Sequence, residues 1–197
     1  RISMPHTKET SLPTAEQLDM ERRRLRYKRR YNRTLRSTVA ILIVVAALAV
    51  LAATLWMPVL RVYGSSMAPT LHNGEILVSV KTKDFSSGDI IAFYHGNKLL
   101  IKRYIAGPSD YVNIDESGDV SVNGTLLEEP YLAEKAYGEA DIEFPYQVPD
   151  QRYFVMGDNR NESLDSRSSY VGCIDERDIL GKVLLCFLPV SDFGVVK

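Results

Sequence analysis

Two adjacent hydroxyls, Ser65 and Ser66 in "VYGSSMAPTL", and a lysine in "LLIKRYIAGPSD", Lys102, are the residue types of a nucleophile and its base. A serine hydroxyl is barely ionised at neutral pH and needs a neighbour that takes its proton. Histidine could serve, but the chain has only His6, His72 and His95, and they are scattered. His72 lies too near in sequence to face back onto the serines, and His95 sits in the turn-like "YHGN". Lys102 is the stronger partner. On a strand it shares one face with Leu100 and Tyr104, while Leu99, Ile101 and Arg103 share the other. An amine held in apolar surroundings loses the solvation of its charge, its pKa falls, and it can act as a general base. The plain alternative is a strand lysine with a solvated head. A third stretch, "GDNRNESLDSR" (157–167), follows the apolar run "YFVM". Asp158, Arg160, Asp165 and Arg167 could form an ion-pair framework that holds this loop, with Ser163 offering its hydroxyl to an active-site amine; a solvated turn is the alternative. No Cys/His spacing suggests zinc, and neither metal nor cofactor is expected.

These residues follow a segment of a different kind. Residues 22–36, "RRRLRYKRRYNRTLR", hold nine Lys/Arg and no acid. The formal net charge of −1 therefore hides an asymmetry: residues 37–197 carry 13 basic and 21 acidic side chains. A nucleic-acid binder would more usually spread its cations over the folded domain. Here they adjoin "STVAILIVVAALAVLAATLWMPVL" (37–60), 24 residues without a charge. As a helix this is about 36 Å long, more than the roughly 30 Å hydrocarbon core of a bilayer. A cleaved signal fits less well, because its apolar region is typically only ~7–15 residues. The basic flank places the N-terminus in the cytoplasm, with Trp56 at the far interface and Pro58 ending the helix. The domain reading is a disordered tail over 1–21, a basic juxtamembrane segment over 22–36, a membrane-spanning signal-anchor over 37–60, and an extracytoplasmic β-rich domain over 61–197.

Within that last part, strands are predicted at 75–80, 89–94, 98–105, 111–114, 119–122, 152–156 and 181–187, bounded by Gly, Asp, Asn and Pro. Asn123-Gly124 is a two-residue hairpin signal. Short strands without helical periods between them predict a mainly β, antiparallel, barrel-like domain. Residues 128–150 read as a surface excursion. Cys173 and Cys186 are too few for a disulfide scaffold. A single bridge is open to them outside the cytoplasm, but Cys186 in "KVLLCFL" reads as a small core residue.

Four stretches in this order, "GSSMAPTL" (64–71), "GDIIAF" (88–93), "IKRYIAGPSD" (101–110) and "GDNRNESLDSR" (157–167), resemble the motifs of type I bacterial signal peptidase. With one signal-anchor before them, they look like the short form of Gram-positive bacteria, over roughly residues 37–190. The resemblance implies that the nucleophile is the serine directly before Met, hence Ser66, and that Ser65 is variable. It further implies Lys102 as general base, Arg103 as its basic neighbour, Ser163 as the hydroxyl that orients the lysine, and Asp158, Asp165 and Arg167 as supports. The implied fold is a β-sheet catalytic domain resting on the membrane. Two departures stand out. Gly64 occupies the position where Gram-negative members often carry the serine that completes the oxyanion hole, which leaves the Ser66 backbone N–H and the Gly64 region to serve. The usual "GxPGD" reads "GPSD", with Ser109 in place of a glycine.

The expected function is membrane-anchored hydrolysis of signal peptides from exported preproteins, after small, Ala-like residues. Tyr63, Met67 and Ile101 are candidate pocket walls. Partners would be preproteins, the lipid bilayer and the secretion translocon, and not nucleic acid. The rival readings are a non-catalytic assembly factor of the same fold and a peptidase with a narrow client such as pilin subunits. A self-cleaving Ser-Lys regulator fits poorly beside a membrane anchor.

Overall fold

The computed structural model describes residues 14–196. The chain divides into two compact units, the first ending at Leu51 and the second starting at Ala52. One helix, α1 (Ala15–Trp56), opens the described chain, and none of its residues is buried. It is long and apolar enough to cross a membrane. Its start corrects the expectation of disorder over 1–21. Thr14 and Gln17 form half of a capping box, the Thr14 N–H donating to Gln17 Oε1 at 3.0 Å, so residues 15–21 are helical. Residues 1–13 lie outside the described residues. The C-terminal bound of the predicted span also moves, because the helix stops at Trp56 rather than Leu60. Pro58 disfavours helix in the residue before it, and Val59–Arg61 instead form a strand.

Twelve short strands make up the rest: β1 (Val59–Arg61), β2 (Ile76–Val80), β3 (Ile90–His95), β4 (Lys98–Ala106), β5 (Tyr111–Ile114), β6 (Val120–Val122), β7 (Thr125–Leu126), β8 (Tyr146–Gln147), β9 (Arg152–Met156), β10 (Ile174–Asp175), β11 (Ile179–Leu188) and β12 (Gly194–Val195). All seven predicted strands are present. β1, β8, β10 and β12 were not foreseen, being two or three residues long and too short to show a period. Every pairing is antiparallel. The larger sheet runs β1-β2-β11-β3-β4-β9-β10, with β12 on β11, and the smaller runs β7-β6-β5-β8. The larger path has two ends and does not return on itself, so the barrel-like closure expected from the strand pattern is not seen in these pairings.

Burial follows the pleat. β5 alternates exposed and buried residues, whereas β9 buries Phe154, Val155 and Met156 in succession. That run sits inside the larger sheet with a core on each side. Phe154 and Met156 join Val112, Val120 and Ile105, and Val155 joins Ile91 and Phe93. A third cluster packs Met67 and Leu71 against Leu60, Leu77 and Val183. Cys173 and Cys186 are both free thiols, buried in different clusters.

Three turns carry local backbone demands. Asn123 and Gly124 both have positive φ, 52° and 79°, the conformation of a two-residue hairpin turn whose twist matches its strands. Ser109 has φ 70°, so the serine that replaces a motif glycine does adopt the left-handed conformation that favours glycine. Gly181 lies where β11 presses on β2: a β-carbon there would fall against the Val80 carbonyl oxygen and 2.8 Å from its carbon. Opposite outcomes are expected at two of these positions. Ser109→Gly should raise stability by a few tenths to about 1 kcal/mol, as the left-handed penalty is relieved. Gly181→Ala should lower it by roughly 1–3 kcal/mol through overpacking. Denaturant unfolding with unchanged m-values checks both.

Candidate active site

The chain leaves β1 through Val62 and turns at Gly64, φ 90°, to bring Ser65 and Ser66 to the surface. Their side chains diverge. Ser65 Oγ donates to Glu162 Oε2 at 2.9 Å, in the open. Ser66 is half-buried and lines a trough of about 480 Å³ together with Lys102. Tyr63, Gly64, Met67 and Ile101 line the same trough, beside Leu60, Val62 and Leu99. Tyr63 stands exposed at its mouth and Met67 is buried in its floor. Its walls are therefore mostly apolar, and Lys102 is their one buried cation, since Arg61 and Lys98 are exposed. His72 sits against Glu75 at 3.3 Å and His95 against the Tyr170 ring at 5.7 Å; neither lines the trough.

Lys102 lies near the middle of β4, paired to Ile91 of β3, and is only 3% exposed. Nζ donates to Ser163 Oγ at 2.8 Å. Burial lowers its pKa from an ordinary 10.5 to about 8, Asp165 opposing that fall and Arg167 adding to it. An amine with that pKa is substantially neutral near pH 8 and can accept a proton.

The loop 157–167 brings Ser163 there. Its framework is built on buried ion pairs. Asp165 accepts two hydrogen bonds from the Arg167 guanidinium, each 2.9 Å, one from the Arg167 N–H at 3.2 Å and one from the Gly157 N–H at 2.9 Å. Burial pushes the Asp165 carboxyl up, but the Arg167 bonds and charge, with the Gly157 N–H and Ser163, hold it below the usual range. Asp158 takes a two-point grip from Arg103, at 2.8 and 2.6 Å, and a hydrogen bond from Thr70 Oγ1 at 2.5 Å. Arg160 pairs with Glu129, its Nη2 2.5 Å from Oε1, and caps the Gly157 carbonyl at 3.1 Å. Such bidentate pairs are what arginine offers and lysine does not.

Several members of the site escaped the sequence reading. Glu129 and Tyr131 come from the supposed surface excursion, yet Glu129 is buried and the Arg103 guanidinium stacks 3.6 Å from the centre of the Tyr131 ring. The only signal was a glutamate beside a proline and an aromatic, which is common in loops. Gly157 is the other. A β-carbon there would collide with Ser163 Oγ and lie 2.5 Å from the Ser66 carbonyl oxygen, so the absence of a side chain lets these two segments approach. The Ser66 carbonyl also accepts from the Asn159 N–H at 3.1 Å, tying the serine turn to the loop. The Gly64 N–H, considered from sequence for an oxyanion, is already committed to Asn73 Oδ1 at 3.1 Å. The Ser66 N–H makes no hydrogen bond among the described residues.

Comparison with known proteins gives the family. Residues 34–188 match the family described as signal peptidase, peptidase S26. A signal peptidase I of Bacillus amyloliquefaciens is 35% identical over 167 residues, covering 79% of this chain and 89% of the relative. Signal peptidase I T of Bacillus subtilis (strain 168) is 36% identical over 183 residues, covering 86% and 93%. A crystal structure of a signal peptidase I from Enterococcus faecalis V583 aligns with a TM-score of 0.45 at 30% identity, over 52% of this chain and 98% of that one. The family match and the two Bacillus relatives define the class, a serine-type peptidase. The chain belongs to the signal peptidase family, peptidase S26.

The buried amine has a thermodynamic signature. Between about 8 and 10.5 the folded chain binds fewer protons at Lys102 than the unfolded chain does, so stability rises with pH across that window. Below it, the full cost of burying the charge is present. Lys102→Met should therefore stabilise the chain at pH 7 by roughly 3 kcal/mol. That advantage should shrink as pH is raised through 8 toward 10.5. Unfolding curves of the two proteins at pH 7 and pH 10 test it.

Proposed function

We propose that the chain is a membrane-anchored endopeptidase that removes signal peptides from exported preproteins by a Ser66/Lys102 pair. The supporting observation is the burial of Lys102 beside Ser163, with its pKa lowered to about 8, on the wall of a trough that Ser66 also lines. Neutral Lys102 accepts the Ser66 proton as Oγ attacks the carbonyl carbon of the scissile bond. The oxyanion accepts a hydrogen bond from the Ser66 N–H, which is otherwise unspent; in other hydrolases such a donor is worth roughly 3–4 kcal/mol. Protonated Lys102 passes its proton to the leaving amine as the C–N bond breaks. Lys102 then takes a proton from a water that attacks the acyl ester, and passes that proton to Ser66 Oγ as the ester C–O bond breaks. Arg103, Asp158, Asp165 and Arg167 hold the loop that positions Ser163, and so the amine.

Substrate binding follows from unused strand edges. From Lys98 to Ile101, β4 pairs with β3 on one side only, because β9 begins its pairing at Arg103. The trough lies along that stretch of β4, between it and Val59–Gly64. An extended peptide can add there by main-chain hydrogen bonds. Shallow walls including Tyr63, Met67 and Ile101 then favour small side chains at positions −1 and −3. The apolar part of α1 anchors the enzyme in the bilayer where its substrates also reside, which raises their effective concentration. In this reading the N-terminus is cytoplasmic, the β domain lies on the other side, and the translocon delivers the precursor.

The test is cleavage of a membrane-embedded precursor with alanine at −1 and −3. Ser66→Ala and Lys102→Ala should each lose about 10³-fold or more in kcat, while Ser65→Ala and His95→Ala stay within a few-fold of wild type. For wild type, kcat/KM should rise with pH and level off above about 8 as Lys102 loses its proton. Full activity in folded Ser66→Ala would overturn the assignment, and a folded wild type that turns over no precursor would favour an assembly factor.

A further inference from the structure

The basic half of α1 has a pattern that peptide hydrolysis does not require. At about 100° per residue, Arg22, Arg26, Arg29, Arg33 and Arg36 recur at spacings of four and three and share an arc of about 80°. Met20, Tyr27, Tyr31 and Leu35 occupy an arc of similar width centred about 180° away, where Arg24 is the only cation. Those four apolar side chains are all exposed, Tyr27 by 75% and Met20 by 67%. Three carboxylates, Glu16, Asp19 and Glu21, precede the basic block in α1, and among the described residues only Glu21 pairs with it, 4.0 Å from Arg24. The other cations of residues 22–36 have no acidic partner there.

The junction with the apolar stretch carries a second feature. Thr34 Oγ1 donates to the Arg30 carbonyl and Thr38 Oγ1 to the Thr34 carbonyl, both at 3.0 Å. Hydroxyls that bond back four residues compete with the helix ladder and often mark a bend. A helix apolar on all sides crosses a bilayer, whereas one with a cationic face opposite an apolar, aromatic stripe lies in the interface. Both kinds occur in α1, and the threonine pair lies where one gives way to the other.

We propose that the basic segment of α1 is an interfacial helix that docks on anionic lipid headgroups, bending away from the membrane-spanning stretch at Thr34–Thr38. This rests on reading residues 37–56 as membrane-spanning. Tyr27, Tyr31 and Leu35 enter the acyl boundary, with the two tyrosine hydroxyls at headgroup level. Arg23, Arg30 and Lys28 flank the stripe and reach phosphates from its sides. The opposite arginine row lies within a Debye length, about 8 Å at physiological salt, of the negative surface. Nucleic acid fits less well, because the stripe would be left in water.

The experiment uses the full chain carrying Tyr31→Cys, labelled with a polarity-sensitive thiol probe, since Cys173 and Cys186 are buried. It is reconstituted into phosphatidylcholine vesicles with and without about one-third phosphatidylglycerol. The expected result is a blue shift in anionic vesicles only, reversed as salt is raised to about 1 M. Replacing Arg22, Arg26, Arg29 and Arg33 with Gln should abolish the shift. An equal shift in zwitterionic vesicles, its persistence in the Gln variant, or no shift at all overturns the proposal. A shift induced by added RNA overturns it too, and assigns the arginine row to nucleic acid. Flotation separates the two layers of inference. A chain that floats without a shift refutes only the docking, whereas a chain that does not float refutes the membrane span as well.

Discussion

Lys102 Nζ is held by a single hydroxyl, 2.8 Å away, in a neighbourhood where Asp158, Asp165 and Glu129 are each bound by an arginine. Removing an ammonium from water costs several kcal/mol unless a counter-charge compensates it, and here the nearby counter-charges are already engaged. Asp165 pulls the lysine pKa up and Arg167 pushes it down, so burial decides the outcome. Had Arg167 been absent, Asp165 would be free to pair with Lys102 and hold it protonated. The arginines thus do two jobs at once: they make a buried acidic loop tolerable, and they keep that loop from claiming the lysine. A lysine in place of any of them would give up the two-point geometry that makes this possible.

The position of Lys102 on β4 supplies the rest. Successive residues of a strand face opposite sides, so Lys102 looks into the trough while Arg103 looks back toward Asp158 and Tyr131. Two adjacent cations are thereby given different environments without any special backbone conformation. Both are buried, but one meets a carboxylate and an aromatic face while the other meets a hydroxyl. The same alternation makes β4 intolerant of a register shift, because a slip by one residue would exchange the two environments.

The sequence made the strands and the polar loop legible where local patterns were strong. Asn123-Gly124, the run "YFVM" and the apolar setting of Lys102 each carry their own signal, and the motif resemblance marked Ser66 over Ser65. The structure adds a physical contrast between those two serines, since Ser65 is turned toward Glu162 and Ser66 toward the trough. What local pattern could not reveal were contacts made over distance. Glu129 and Tyr131 look like surface residues until Arg160 and Arg103 close on them. Gly157 looks like an ordinary turn residue until Ser66 and Ser163 arrive on both sides of it. Sheet closure lies beyond local pattern for the same reason, because short alternating strands specify faces but not whether the two ends of a sheet meet.

Strand β9 links Lys102 to the open edge beside the trough. Its pairing with β4 ends at Arg103–Met156, and at Gly157 the chain turns away to lay Ser163 over Lys102. Because β9 leaves at that point, the edge of β4 from Lys98 to Ile101 stays open alongside the trough. One departure therefore both delivers the hydroxyl that accepts from the amine and leaves the edge of β4 unpaired. In the proposed reaction, an extended substrate would be registered against Lys102 by main-chain hydrogen bonds whatever its side chains. Selection would then fall to the few wall positions near Ser66. A peptidase that must accept leaders of many sequences needs this division between backbone registration and side-chain selection.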